Sequence, residues 1–484
     1  MIVHLNPQYS IRNYSDCSFL IRKNGIIDSL IGRETPSVTL LPPYIGYIIA
    51  AIGEKELDES IESIGSHLDI DREILRNFIN SLIENEFPLR LSTDKESFNF
   101  PKRVLIKGIR TIRYSQQNIV CDNCDIKEIR PVVPFSVNFM VTTKCVTNCC
   151  YCYAKRDLSK ELSTGKVLSV IDECYKLGVV NLNLTGGDLF AREDWKLLLK
   201  RAREYNYFPF LSTKKTLSKS DIEFLKSIGI TDIQFSLDSV NPTLLNKIIA
   251  SDSNYIERLV EMLNACETIG IKLSIRSVLC SYNSSIKSFS ELYKFLKKYS
   301  IIKDWVITPA FFSEHQSDYI KYAATKDAIS TIGGFIAGCE KTFPIILSKM
   351  SPCGYKLKRC ESVDEFVNKN QKCYANSFSM SILASGQCTV CEMLYENPEY
   401  VIGDISLESL FNIWNGEKAL SIYSISQKTL SNITPCFHCK VFNLCRNKLA
   451  KRICYVDIAK MNKFPSKGMP DPRCPKAEDT DVVL

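Results

Sequence analysis

The sequence predicts an α/β protein built on a parallel sheet with helices outside it, open or closed into a barrel. A small α+β unit precedes the sheet and a cysteine-rich region follows it. Three observations carry this reading. Between residues 131 and 315, strand-like segments alternate with amphipathic helices, as in βαβ units. Residues 1–90 instead read as strands followed by three helices. Residues 316–484 lose the alternation and hold eleven of the 21 cysteines.

The chain's 484 residues suffice for roughly two to four domains, and 45% of them are hydrophobic, enough for a large core. The net charge of +7 is spread without a long basic block, so no nucleic-acid partner is expected. The N-terminal MIVHLNPQYS has no basic region followed by an apolar run, which excludes a secretory signal there. The apolar run YIGYIIAAI (residues 44–52) is too short to span a bilayer, so no membrane partner is expected. A cytoplasmic location follows. In a reducing compartment, clustered thiols are metal or cluster ligands rather than disulfides.

In the N-terminal unit, FLIRKNGIIDSLIG (residues 19–32) is expected as a hairpin about Lys23-Asn24-Gly25, and PSVTLL (36–41) as a third strand. A helix starts after the paired prolines of LPPYIGYIIAAIG (41–53). Leu57, Ile61, Ile64 and Leu68 space a second helix. After Asp71, a good N-cap, Ile74, Leu75, Phe78, Ile79, Leu82 and Ile83 make the stripe of a third. The unit is winged-helix-like. It serves either as a packing domain or as a module in which an extended peptide adds a strand to the sheet edge. Residues 91–130 are polar and read as a linker. They carry Cys121 and Cys124 in CDNC, a half-site for zinc or a cluster, or an incidental pair.

The expected strands of the α/β region are FSVNFMVTT (135–143), VVNLNL (179–184), YFPFL (207–211), DIQFSL (232–237), IKLSIRSVL (271–279) and KDWVITPA (303–310). Cys174 and Cys266 sit on apolar helix faces and are expected in the core, with Cys17 and Cys280 also structural. Chemistry in such folds lies at the carboxyl ends of the strands. Just past the first strand comes TTKCVTNCCYCYAKR (142–156), in which Cys145, Cys149 and Cys152 make a C-x3-C-x2-C run. Three thiolates on one loop hold three irons of a cubane cluster and leave the fourth open to a small molecule. Structural zinc, the alternative, takes four ligands.

With Tyr151 as the aromatic residue before its last cysteine, this loop resembles that of the radical SAM (S-adenosylmethionine) superfamily. The resemblance implies a partial (β/α)6 TIM-like barrel, with a [4Fe–4S] cluster on Cys145, Cys149 and Cys152 and SAM chelating the open iron. One electron then releases methionine and a 5′-deoxyadenosyl radical, which takes a substrate hydrogen. Cys150 falls outside the pattern and is expected to be a bystander. Gly186-Gly187-Asp188 resembles the turn that receives the SAM amino group. Ser212 and Thr213 in LSTKKTLS match the third strand end, near ribose or carboxylate, although Lys214 stands where the family usually has Asn. Ser236 and Asp238 in FSLDS match the fourth strand end, and Asn283 the fifth.

Further on, Cys373-x12-Gly386-x4-Cys391, then Cys436-x2-Cys439-x5-Cys445, then Cys474 resemble the SPASM domain, here residues 366–484 after a bridging region, 316–365. The resemblance implies two auxiliary [4Fe–4S] clusters. The second takes Cys436, Cys439, Cys445 and Cys474. The first takes Cys373 and Cys391, but its third family ligand falls on Leu449. Cys360, Cys388 and Cys454 are the candidates to replace it. Otherwise an iron stays open, which suits a substrate thiolate. A zinc-ribbon-like fold is the alternative for this region.

The N-terminal unit resembles the leader-recognition element of ribosomal-peptide maturases. Together these resemblances imply an enzyme that binds the leader of a ribosomally made precursor peptide. It would form a thioether or carbon–carbon cross-link in the core, reduced by a flavodoxin or ferredoxin. The alternatives are a sulfatase-type maturase making formylglycine, a peptide epimerase, and a non-catalytic Fe–S peptide-binding or electron-transfer protein. No catalytic base is assigned: His4, His67, His315 and His438 are scattered and read as surface or packing residues.

Overall fold

A computed structural model describes residues 1–23, 37–53, 55–92, 97–108, 126–152, 154, 161–310, 321–339, 341–348, 359–369, 373–394, 397–461 and 467–477. The chain divides into two units, Met1–Pro131 and Val132–Leu484. The expected Lys23-Asn24-Gly25 turn and the Cys121/Cys124 pair lie outside the described residues.

In the first unit, β1 (Val3–Leu5) is followed by β2 (Tyr9–Asn13), β3 (Ser18–Arg22) and β4 (Val38–Leu41). The last three form an antiparallel sheet in the order β2-β3-β4. Three helices follow: α1 (Pro43–Ala51), α2 (Leu57–Leu68) and α3 (Arg72–Leu82). Pro43 opens α1, where its missing N–H is no loss. Asp71 caps α3, accepting from the N–H groups of Glu73 (2.9 Å) and Ile74 (3.1 Å). Ile11, Leu20, Leu41, Ile49, Ile61, Leu75, Ile79 and Leu82 share one core. Ile74 does not join them. It is 66% exposed, so the buried stripe of α3 is narrower than its apolar spacing.

The stretch expected as a polar linker is partly ordered sheet. Here β5 (Leu89–Ser92) and β6 (Ser97–Phe100) pair antiparallel, and β7 (Leu105–Lys107) pairs with β1. Phe98, Phe100, Val104 and Leu105 are buried in the same core. Their alternation with Ser, Asn and Lys hid a strand signal inside a polar composition.

The second unit runs β8 (Ser136–Thr142), α4 (Thr164–Leu177), β9 (Asn181–Gly186), α5 (Trp195–Glu204), β10 (Ser212–Thr213), α6 (Lys219–Ser227), β11 (Asp232–Ser236), α7 (Pro242–Ile249), α8 (Tyr255–Ile269), β12 (Lys272–Leu279), α9 (Ile286–Leu296) and β13 (Ile302–Pro309). Strands β8 and β9 pair in parallel, as do β10 through β13 in sequence order. These six strands divide between two sheets that do not close, so the barrel is partial. The YFPFL strand is displaced. Pairing begins only at Leu211, whose carbonyl accepts from Gln234 at 2.8 Å, because Pro209 has no N–H to give a ladder. Cys174 and Cys266 are fully buried, as are Cys17 and Cys280.

The alternation also continues past its expected end. After β13, α10 (Lys326–Gly338) leads to β14 (Ile345–Leu347), which adds in parallel to β13. Then come α11 (Val363–Lys369), β15 (Ser379–Ile382), β16 (Gln387–Thr389) and β17 (Val401–Asp404). Strand β15 pairs in parallel with the outer edge of β8, and β16 and β17 follow antiparallel. The cysteine-rich region therefore extends the barrel's first sheet. It ends in four short helices, α12 (Leu410–Asn415), α13 (Glu417–Tyr423), α14 (Phe442–Arg446) and α15 (Tyr455–Met461).

Candidate functional site

The C-x3-C-x2-C loop leaves the carboxyl end of β8 and is pinned from several sides. The N–H groups of Asn148 and Cys150 donate to the carbonyls of Ile249 (2.9 Å) and Ile248 (2.8 Å), acceptors that the end of α7 leaves without helical partners. At the loop's root, Thr142 Oγ1 donates to Glu161 at 2.6 Å, and the Thr143 N–H does so at 3.2 Å. Buried Arg192 donates to the Val141 carbonyl (2.7 Å) and grips Asp194 with two nitrogens at 2.7 Å each. Within the loop, Thr147 Oγ1 lies 3.6 Å from Cys145 Sγ and 3.4 Å from Cys149 Sγ. Cys150 stands apart, its thiol hydrogen-bonded to Cys280.

The Gly186-Gly187-Asp188 turn is laced to this loop. Gly187 N–H donates to the Thr142 carbonyl (2.9 Å) and Asp188 N–H to the Lys144 carbonyl (2.8 Å). A Cβ on Gly186 would stand 2.4 Å from the Thr142 oxygen, and one on Gly187 2.3 Å from that of Lys144. Both glycines are required by backbone approach, here the approach of the cysteine loop itself.

Two buried carboxylates complete the site. Asp188 accepts from Thr213 Oγ1 (2.7 Å) and from the N–H groups of Phe190 (3.0 Å) and Lys214 (3.3 Å). Burial raises its pKa, and these donors offset part of the rise. Asp238 accepts from Tyr151 Oη (2.5 Å), the Val278 N–H (2.8 Å) and Lys214 Nζ (3.2 Å). Burial opposes the Lys214 ammonium. Asp238, with the Cys149 and Cys145 thiols, outweighs that and holds the amine above its ordinary range. Asn283, fully buried, donates to the carbonyls of Asp238 (3.1 Å) and Val278 (3.0 Å). Ser212 and Ser236 do not join this network. Their hydroxyls accept from Gln234 Nε2 at 2.6 and 3.5 Å. The structure thus brings the three cysteines, Tyr151, Gly186, Gly187, Asp188, Thr213 and Asp238 to the carboxyl ends of β8, β9, β10 and β11.

In the cysteine-rich region, Cys436, Cys439, Cys445 and Cys474 line one small cavity. Gln427 Nε2 braces it by donating to the carbonyls of Cys436 (2.8 Å) and Cys439 (2.9 Å). Arg446, only 1% exposed, donates to the Lys467 (2.5 Å) and Met469 carbonyls and reaches Cys436 Sγ at 3.8 Å. Four thiols around one cavity fit a four-thiolate cluster. Among the described residues, no three His, Cys, Asp or Glu side chains converge tightly enough for a single metal ion.

Thr147, Glu161, Arg192 and Arg446 were not anticipated from the sequence. For Thr147 and Arg446 a signal existed, since one lies between two candidate ligand cysteines and the other directly follows one. Glu161 and Arg192 act through tertiary contact and carry no local mark.

Residues 139–296 match the model of the radical SAM superfamily, and residues 373–440 that of the SPASM iron–sulfur cluster-binding domain. The chain therefore carries a radical SAM domain followed by a SPASM domain. PqqA peptide cyclase of Ruegeria pomeroyi is 26% identical over 160 residues, 32% of this chain and 42% of that protein. Fe-coproporphyrin III synthase of Methanosarcina barkeri is 27% identical over 161 residues, 32% of this chain and 39% of that protein. The matched part thus spans about two fifths of these curated relatives. In fold, the chain is similar to Streptococcus suis SuiB bound to its precursor peptide SuiA. The TM-score is 0.62 at 14% identity, covering 96% of this chain and 98% of that one. At that identity the likeness shows the fold. Among the described residues, no helix is long and apolar enough to cross a membrane.

Proposed function

We propose that this chain is a radical SAM maturase that cross-links a ribosomally made precursor peptide through a thioether or carbon–carbon bond. The observation that carries it is the cysteine loop laced to the glycine turn at one end of a partial barrel, in the same chain as a four-thiol cavity. Bound to Cys145, Cys149 and Cys152, a [4Fe–4S] cluster with SAM would supply a carbon radical for hydrogen abstraction. The chain's part is positioning. Thr147 orients two of the thiols, and the backbone of Gly186 and Gly187 fixes the loop against β9. Asp188, with Thr213, offers a carboxylate beside the turn for an ammonium. Tyr151, Asp238 and Lys214 form the buried floor. The cavity thiols would hold an electron acceptor for the substrate radical, and a flavodoxin or ferredoxin would supply the reducing electron.

Similarity over about a third of the chain reaches both a peptide cyclase and an Fe-coproporphyrin III synthase, so that similarity alone does not select the substrate class. The N-terminal unit supports a peptide. Its three-stranded sheet has β2 and β4 at its edges, where an extended leader adds as a further strand. SuiB, whose fold this chain shares over 96% of its length, has been solved with its precursor peptide.

The test is anaerobic co-expression with a short peptide encoded beside the gene, followed by accurate mass measurement. A loss of about 2 Da, two hydrogens, is expected. Blocking free thiols beforehand separates thioether from carbon–carbon bonds. An unchanged mass with deuterium taken up from heavy water would mean epimerisation and would overturn the cross-link.

A further inference from the structure

The first auxiliary site lacks its third family ligand, because the position falls on Leu449, a buried hydrocarbon. Two residues on, Lys451 and Cys373 form a short antiparallel bridge, each N–H donating to the other's carbonyl at 2.9 Å. Lys451 is itself fully buried, its ammonium donating to the carbonyls of Tyr423 and Arg446 at 2.8 Å each. The bridge fixes this segment against Cys373, and Cys454 follows three residues later. The Cys454 N–H donates to Asp471 at 2.8 Å. The same carboxylate takes Arg473 Nε and Nη2 at 2.8 Å each, and the Arg473 carbonyl accepts the Cys360 N–H at 3.0 Å. Asp471 and Arg473 therefore tie Cys454 and Cys360 to one hub.

Electrostatics agrees with this placement. Cys373 lies within electrostatic reach of both Cys391 and Cys454. The Arg473 guanidinium acts on Cys360, Cys373 and Cys454 alike. Cys388 belongs elsewhere. It is fully buried on β16, and its charge is felt by Cys174 of α4.

We propose that Cys360, Cys373, Cys391 and Cys454 form the first auxiliary cluster site, a closed set of four thiolates with no iron open to a substrate thiol. This rests on the radical SAM/SPASM reading with two auxiliary clusters. The missing ligand is replaced five residues downstream of Leu449, beyond the bridge that pins Lys451 to Cys373. A closed site passes electrons and does not bind the peptide's thiol, so any thioether forms without substrate ligation there.

The test uses the full chain with Cys145, Cys149 and Cys152 all changed to Ala, reconstituted anaerobically. This parent isolates the auxiliary sites and should hold about eight irons. Adding Cys454→Ala should open one iron, so that cyanide alters the electron paramagnetic resonance signal of one cluster and leaves the other's intact. Adding Cys388→Ala should leave about eight. Cyanide should not alter the parent's signals but should alter those after Cys360→Ala. No cyanide response after Cys454→Ala, or a cyanide response in the parent, overturns the assignment. A parent with only about four irons sinks the two-cluster reading itself, before any ligand is tested. Should Cys454→Ala not fold, thiol alkylation of the reconstituted parent decides. Cys360 and Cys454 should be protected until the iron is chelated, and labelling of either before chelation overturns the proposal.

Discussion

Lys214 shows how one residue changes a site. Its ammonium, almost buried, lies 3.2 Å from Asp238, which is 2% exposed. Removing one partner of such a pair leaves the other buried and uncompensated, at about 3–5 kcal/mol. Lys214→Met is therefore expected to destabilise the chain by about that much, and Tyr151→Phe by about 2 kcal/mol, a hydrogen bond to a charged group. Denaturant unfolding checks both, and unchanged stability of Lys214→Met would show that the ammonium does not serve Asp238. For a cluster held by the Cys436 cavity, Arg446 would act on potential. Its guanidinium reaches Cys436 Sγ at 3.8 Å, and a cation donating to a ligand sulfur favours the reduced cluster. Arg446→Gln should move the midpoint of the second auxiliary cluster to more negative potential, and Arg446→Lys should partly restore it. A redox titration followed by electron paramagnetic resonance reads the shift. At this scale the two matched domains were legible from cysteine spacing, because that spacing is local. Lys214 registered only as a missing Asn, since its partner Asp238 lies 24 positions on.

Between elements, the site depends on how the cysteine loop after β8 is hydrogen-bonded to the turn after β9. A methyl on Gly187 would meet two backbone carbonyls, those of Lys144 at 2.3 Å and Thr143 at 2.7 Å, and neither can move without the loop. Gly187→Ala is expected to cost about 1–3 kcal/mol and to lower iron occupancy of the first cluster, checked by iron content and visible absorbance. The Arg192–Asp194 pair braces the same root. Its hydrogen bonds to Arg192 hold the Asp194 carboxyl below its ordinary range. A lowered pKa stabilises above the unfolded value, about 4, and that contribution is lost as pH falls through the lower folded value. The stability gap between the parent and Arg192→Met should thus be full at neutral pH and shrink in acid. A gap independent of pH would assign Arg192 to packing alone. Long alternating strands such as β8, β12 and β13 were legible from their period. Short or proline-bounded ones were not: β10 has two residues, β14 three, and β6 hides two buried phenylalanines among polar neighbours.

For the whole molecule, the role proposed for the N-terminal unit is chain connectivity rather than chemistry. It has its own core, and the cysteine loop belongs to the other unit. A peptide bound through its leader makes the encounter of its core with the barrel intramolecular, at an effective concentration set by the tether. That changes delivery and leaves bond-making untouched. A precursor stripped of its leader is therefore expected to lose about 10²-fold or more in kcat/KM, while peptide-independent SAM cleavage stays the same. Free leader added in trans should compete with the intact precursor and lower its rate, because docking without the tether delivers nothing. Arg12→Glu on β2, at the sheet edge, should weaken leader binding without changing SAM cleavage, if that edge receives the added strand. Equal rates for stripped and intact precursors would remove docking from the mechanism and leave the first unit a packing domain.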